Sequence, residues 1–305
     1  MEIFQKGGSR GGGRPRRTGK MGKSKTYSYE YDDYENGKNA ETMAEEILAD
    51  PEFPELEELI IGGWGGESED SCQPILDCIA EKADRFRHIT KLFIGDMDYE
   101  TCEVSWIIQG DYSRLWKAMP QLKELTIKGS NELTLGTVEH DNLESLTIIC
   151  GGLGKTVIKE IAKAKLPHLK KLLLYIGIED YGFDGDADTI REMLAASDFP
   201  ELTYLGITDS EIQDELTEVV LGSKYIGQIT TLDLSNGTLT DKGGQLLLEK
   251  LPGLPNMEKL DVHYHYLSDG MMKKLEELSI AVDVSEQEEA EAWNGELWYN
   301  AMLTE

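Results

Sequence analysis

Three groups of residues in this sequence combine types and spacings that could do chemistry. Asp261, His263 and His265 alternate, so a single strand would project all three from one face, with Asp233 beside them on a neighbouring strand. Carboxylate and imidazole donors so placed make a divalent-metal set, zinc above all. Against it, imidazoles at strand ends more often hydrogen-bond locally, and the chain holds only five histidines. Ser235 and His263 pair a nucleophile with a base, yet no oxyanion-hole or nucleophile-elbow sequence accompanies them, so hydrolysis is discounted and no catalytic residue is assigned. Asp184-Gly-Asp-Ala-Asp188 begins like a calcium loop, but Thr189 stands where the turn glycine belongs and Ala195 where a bidentate glutamate would be. Cys72, Cys78, Cys102 and Cys150 lack paired CxxC spacing and read as reduced thiols, mostly buried. No phosphate-binding or dinucleotide-binding glycine loop and no HExxH occurs; the Gly7–Gly13 run has no strand before it. The expectation is a binding protein with no cofactor, not an enzyme.

Such residues need a scaffold, and the composition says which kinds are open. The 305 residues are 40% hydrophobic, enough for one large core or an elongated stack. A formal charge of −28 repels phosphate backbones and anionic membranes. With no apolar run of membrane-spanning length and no secretory leader pattern, a cytoplasmic location is expected, with neither a membrane nor nucleic acid as partner of the main body. Residues 1–26 differ: eight basic residues face Glu2 alone amid glycine-rich sequence, a net +7 that leaves −35 on the remainder. They read as a disordered tail, with residues 6–25 the one place where nucleic acid could bind; the lack of aromatics beyond Phe4 argues against that.

Internal periodicity decides the fold. The pattern L-x-x-L-x-L, with Ile, Met or Val substituting, starts at Leu56, Ile89, Leu122, Leu143, Leu169, Leu202, Ile229 and Met257, at intervals of 33, 33, 21, 26, 33, 27 and 28 residues. Alternate side chains of a short strand share a face, so the fourth and sixth positions enter a core while the fifth faces out. Each unit buries about three apolar side chains worth roughly 1.5–3 kcal/mol apiece, too little to order its own chain, so neighbours must stack into a parallel sheet. Helices are expected between strands over Ser71–Asp84, Leu153–Ala164, Asp188–Ala196, Glu211–Gly222, Asp241–Leu251 and Ser268–Leu275, with Asp241 and Ser268 as N-caps. The 21-residue interval after Leu122 is too short for a helix and should return through extended chain. An N-terminal capping strand over Tyr27–Tyr31 and a helix over Ala40–Leu48 should close one end; a last strand over Ile280–Val284 should close the other.

The fold class is therefore α/β, a horseshoe leucine-rich-repeat solenoid of about eight repeats plus caps, with a parallel concave sheet and outer helices. Its expected organisation is residues 1–26 as tail, 27–285 as solenoid with cap, and 286–305 as an acidic C-terminal cap or tail. The run from Leu232 to Gly244 resembles a ribonuclease-inhibitor-like repeat. Ile60-Ile-Gly-Gly-Trp64, Cys102–Ile107, Gly151-Gly-Leu153, Asp180-Tyr-Gly182, Asp209–Ile212 and Asp261–Asp269 resemble segments of a bacterial cytoplasmic leucine-rich-repeat family. The resemblance runs from about Tyr29 to Gln287 and implies the fold; it brings no catalytic residues, and the basic tail departs from the family pattern.

Solenoids bind along the concave sheet and its rim. The third motif position reads Glu58, Lys91, Glu124, Ser145, Lys171, Tyr204, Thr231, Lys259; the fifth reads Ile60, Phe93, Thr126, Thr147, Leu173, Gly206, Asp233, Asp261; the seventh reads Gly62, Gly95, Lys128, Ile149, Tyr175, Thr208, Ser235, His263. An apolar first half grades into a polar, acidic second half. Trp64, Tyr99 and Trp106 fall in loops beside Ile60 and Phe93, as interface anchors or as filling between repeats. Acidic loops at 96–103 and 179–188 suit a basic protein partner, or simply solvate the rim. The candidate partner-binding set is Ile60, Trp64, Phe93, Tyr99, Trp106, Lys128, Tyr175, Tyr181, Tyr204, Asp233, Asp261 and His263. The candidate metal set is Asp261, His263 and His265.

Overall fold

The computed structural model describes residues 22–293 and 295–303. Every first, fourth and sixth residue of the eight motifs is at most 5% exposed, so the repeat that sets the pattern is also what fills the interior. Ten strands form one parallel sheet in strict chain order: β1 (Lys23–Tyr27), β2 (Leu56–Ile61), β3 (Lys91–Ile94), β4 (Glu124–Lys128), β5 (Ser145–Ile149), β6 (Lys171–Gly177), β7 (Tyr204–Ser210), β8 (Thr231–Asp233), β9 (Lys259–Asp261) and β10 (Ala281–Asp283). Each neighbour is the next repeat, the topology of a solenoid in which a unit touches only the units beside it. The protein is an open α/β leucine-rich-repeat solenoid with helices behind a concave sheet.

Helices line the outer side: α1 (Tyr31–Glu35), α2 (Ala40–Ala49), α3 (Gln73–Glu81), α4 (Leu115–Ala118), α5 (Lys155–Ala162), α6 (Ala187–Ala196), α7 (Gln213–Leu221), α8 (Asp241–Lys250) and α9 (Asp269–Glu276). Between β4 and β5 there is none, as the short interval requires. That stretch is held by isolated parallel bridges, Ile108 to Asn131, Asp111 to Thr134 and Glu139 to Lys165. Side-chain amides bind successive turns: Gln121 donates to the carbonyls of Phe86 and Ile89, Asn142 to Pro120, Gln228 to Phe199 and Leu202, and Asn256 to Gly227.

Three local readings need correction. The capping strand lies at Lys23–Tyr27 and not at Tyr27–Tyr31, because charge sets its register: Lys25 pairs with Asp50 at 2.5 Å and Glu52 at 3.0 Å, Lys23 pairs with Glu55, and the Tyr27 hydroxyl donates to Asp50 at 2.6 Å. Two lysines assigned to the tail thus belong to the sheet; residues 1–21, with the rest of its basic charge, lie outside the described residues. Ser268 caps α9 as expected, accepting from Met271, but the cap of α8 is Thr240. Asp241 instead ties two repeats, accepting from the amide of Ser268 at 2.8 Å and its hydroxyl at 2.7 Å.

Candidate functional site: the concave face and its rim

Strand register brings the outward-facing residues into straight rows. Glu58, Lys91, Glu124, Ser145, Lys171, Tyr204, Thr231 and Lys259 are successive partners, as are Ile60, Phe93, Thr126, Thr147, Leu173, Gly206, Asp233 and Asp261. Both rows match the pattern read from sequence. In the first half, Ile60 and Phe93 are half-buried on the open sheet, with Lys91 paired to Glu124 at 2.8 Å. In the loop that follows β3, Tyr99 is 63% exposed and Trp106 58%. Trp64 is not available to a partner: it is 0% exposed and its indole N–H donates to the Asp70 carbonyl at 3.0 Å, so it packs the first inter-repeat layer. Lys128 is half-buried, its ammonium donating to the Met97 carbonyl, and burial lowers its pKa.

In the second half the side chains engage one another. The Tyr204 hydroxyl donates to Asp233 while the Lys171 ammonium sits 4.7 Å from the centre of its ring. Gly206 leaves room for this pairing, since a methyl group there would stand 2.3 Å from a Leu173 methyl. Asp233 also accepts from the Ser235 hydroxyl at 2.6 Å. Burial, with the nearby Asp233, Asp209 and Asp261 carboxylates, pushes the Tyr175 phenol up to about 12, so it stays protonated. Tyr181 lies on the outlying Glu179–Tyr181 turn.

The metal and hydrolase readings fail on geometry. Tyr264 takes a left-handed backbone, φ 56°, which breaks the alternation, and the two imidazoles take different partners. His265 is buried: its Nδ1 accepts from the Leu267 amide at 3.1 Å, which leaves Nε2–H to donate to the Val284 carbonyl at 2.9 Å, and burial lowers its pKa. His263 donates through Nδ1 to Asp261 at 2.7 Å. Burial alone would raise Asp261, yet hydrogen bonds from His263 and Lys259 hold it down to about 2. No group of three or more metal-ligating side chains occurs among the described residues. Ser235 is buried and donates its hydroxyl to Asp233, not to His263. The calcium-like carboxylates are helix caps: Asp184 accepts from the Lys155 amide at 2.5 Å, and Asp186 from Thr189 at 2.8 Å.

Sequence reasoning missed a second row. The eighth motif residue of the last three repeats, Asp209, Asn236 and Tyr264, is left-handed at φ 56°, 65° and 56°. Across this ladder returns the chain's own end, after a small hairpin of β11 (Glu291–Trp293) and β12 (Glu296–Trp298). The Tyr266 hydroxyl bridges the amide and carbonyl of Asn300, both at 3.0 Å; the Met302 amide donates to the Asn236 carbonyl and the Leu303 amide to Asp209 Oδ1, both at 2.8 Å. Burial pushes the Asp209 carboxyl up to about 8. The only advance signal was Asp or Asn following a β-branched or Ser residue at a strand end, a type that tolerates φ above zero.

Among the described residues, no helix is long and apolar enough to cross a membrane. No family model matches the chain, and no curated protein does. Among solved structures, an internalin from Listeria monocytogenes is 16% identical over 77% of this chain and 76% of its own, at a TM-score of 0.29, too low to carry an argument. A Bacteroides fragilis protein, solved as a structural genomics target, is 42% identical, with a TM-score of 0.82 over 87% of this chain and 75% of that one. With that identity over three quarters of the relative, this chain belongs to the family of the Bacteroides fragilis protein.

Proposed function

We propose that this chain is a protein-interaction module, an adaptor, inhibitor or regulatory subunit without catalytic activity, that takes a protein partner on its concave face and acidic rim. One observation carries the reading: Ile60 and Phe93 stand in register on an open sheet, and the loop that follows β3 carries two large aromatics, Tyr99 and Trp106, that are more than half exposed. Buried aromatic anchors dominate interface energy, and exposed ones next to an apolar strip supply them. The partner seats on that strip, and the ordered polar row of Tyr175, Tyr204, Asp233, Asp261 and His263 sets its register. The carboxylates of Asp96, Asp98, Glu100 and Glu103 favour a basic surface on the partner. Four free cysteines among the described residues support a reducing, cytoplasmic setting. In this reading the relatives are the cytoplasmic leucine-rich-repeat family whose motifs the sequence resembles.

The test is affinity capture from a lysate of the source cell, followed by reconstitution with the purified partner. A protein that binds the wild type and loses at least about tenfold in affinity for the Phe93→Ala, Trp106→Ala double variant is the expected result. Equal binding by a variant that melts like wild type would remove the concave strip from the reading.

A further inference from the structure

The last described residues are held in an unusual way. Each of the four hydrogen bonds that fasten 299–303 goes to a main-chain atom of that segment: the amide and carbonyl of Asn300, the amide of Met302 and the amide of Leu303. The large side chains around them are left outside, with Met302 51% exposed and Leu297, Trp298 and Tyr299 also exposed. Ala301, 3% exposed, enters fully, Leu303 is half-buried, and Tyr299 lies edge-on against Tyr266 with ring centres 5.0 Å apart. Leu297, Trp298 and Met302 stay at the surface while the main chain is gripped.

The ladder beneath carries buried polar groups the segment does not use. Asp209 is 0% exposed, and while Oδ1 receives the Leu303 amide, Oδ2 is buried without a partner; Asn236 Oδ1 is likewise buried and unmatched. Burial keeps the Asp209 carboxyl protonated at neutral pH, so Oδ2 offers a donor and Asn236 Oδ1 an acceptor. Buried polar groups left unpaired are costly, and two of them beside a bound segment mark a surface that a better-matched chain would satisfy. We propose that the surface formed by Asp209, Asn236 and Tyr266 is a peptide-binding site that reads the main chain of a short segment from a partner protein, and that residues 299–303 occupy it in cis. The ligand class follows from the contacts. It is an unstructured segment with a small residue, Ala, Gly or Ser, between consecutive main-chain donors, and with a polar side chain that accepts from the Asp209 carboxyl or donates to Asn236 Oδ1. No side chain of this strap pairs with either atom, so it is a weak occupant made competitive by tethering, which supplies an effective concentration on the order of millimolar. The site is separate from the Ile60 and Phe93 strip and stands or falls without it.

The probe is a fluorescein-labelled synthetic peptide of residues 297–303, followed by anisotropy against the full chain. Ala301→Trp in the chain cannot seat its strap, so this variant should bind the peptide at least tenfold more tightly than wild type, and a peptide carrying Trp at the same position should not bind. Millimolar peptide added to the wild-type chain should displace the strap and raise deuterium uptake in residues 299–303. A folded Ala301→Trp chain that binds no better than wild type overturns the proposal. Should that variant fail to fold, the wild-type exchange experiment decides: unchanged uptake at millimolar peptide overturns it equally. The Phe93→Ala, Trp106→Ala chain should bind the peptide as wild type does, and a loss there would place the site on the concave strip and end the proposal.

Discussion

The two halves of the rim solve the same problem in opposite ways. Around Ile60 and Phe93 the strand ends are followed by loops whose carboxylates satisfy themselves, as Asp98 does by accepting from the amide and hydroxyl of Thr101, and whose aromatics point outward. Around Asp209, Asn236 and Tyr266 the aromatics and carboxylates turn inward on one another and the chain's own end lies on top. The same repeat thus presents an unclaimed surface at one end and a claimed one at the other. What differs is the residue after the strand: glycine or a solvated acid early, and left-handed Asp, Asn and Tyr late. A binding surface in a solenoid is therefore set by the loop position that turns the chain as much as by the strand rows.

The largest expected break in this comparison is Leu234→Asp. It buries an unpaired charge between two repeats and should cost about 4 kcal/mol or more, abolishing the C-terminal stack. Because solenoid units depend on their neighbours, urea unfolding should become biphasic, with the Trp64 and Trp116 layers surviving to higher denaturant. A single transition at the wild-type midpoint would show that the register is wrong.

Next comes pH. Asp209 has a folded pKa of about 8 against an ordinary carboxyl value of 3.8, so between those values the folded state holds more protons than the unfolded state. Stability should fall as pH rises from about 4 to about 8, by at most about 1.4 kcal/mol per pH unit, and be flat outside that window. Asp209→Asn keeps an acceptor for Leu303, tolerates the left-handed backbone and should remove this slope. Parallel Tm profiles for the two proteins would break the contrast between the halves.

A smaller effect is expected at Gly177. Its φ is 72° and an added methyl would sit 1.8 Å from the Gly151 carbonyl, so Gly177→Ala should cost about 2 kcal/mol in chemical denaturation. The smallest is His263→Ala. Its pKa is raised by the hydrogen bond to Asp261, so the pair contributes fully below the unfolded value of 6.5 and fades as pH rises through the folded one. With a third of the imidazole exposed, under about 1 kcal/mol should be lost, measured as a Tm difference at pH 5.5 that closes by pH 9.

The repeat was legible because its information is local. Leu59, Leu92 and Leu125 recur at intervals that a strand and its return can span, and the helices from α2 to α9 fall within three residues of their expected limits wherever one was expected. Contacts set by distant partners were not legible. Lys23 and Lys25 resemble a loose basic tail until Glu55, Asp50 and Glu52 arrive from the next turn. Trp64 and Trp106 look alike in sequence, and only the inter-repeat layer distinguishes the buried one from the exposed one. Tyr264 defeated the histidine reading because period-two alternation assumes an unbroken strand. The strap could not be seen at all, since it relies on main-chain atoms, which every sequence possesses.

The helix-free return between β4 and β5 has a further consequence for how the two rims face one another. A solenoid curves because its outer layer is wider than its inner one: helices pack about 8–10 Å apart, strands about 4.8 Å. Where the outer chain is itself extended and bridged at strand spacing, as at Asp111 to Thr134 and Glu139 to Lys165, both layers advance by the same step and the arc straightens. Curvature is then expected to be lower at this link than across the helix-backed repeats on either side, and a rigid body shaped to one stretch of the sheet would diverge from the other.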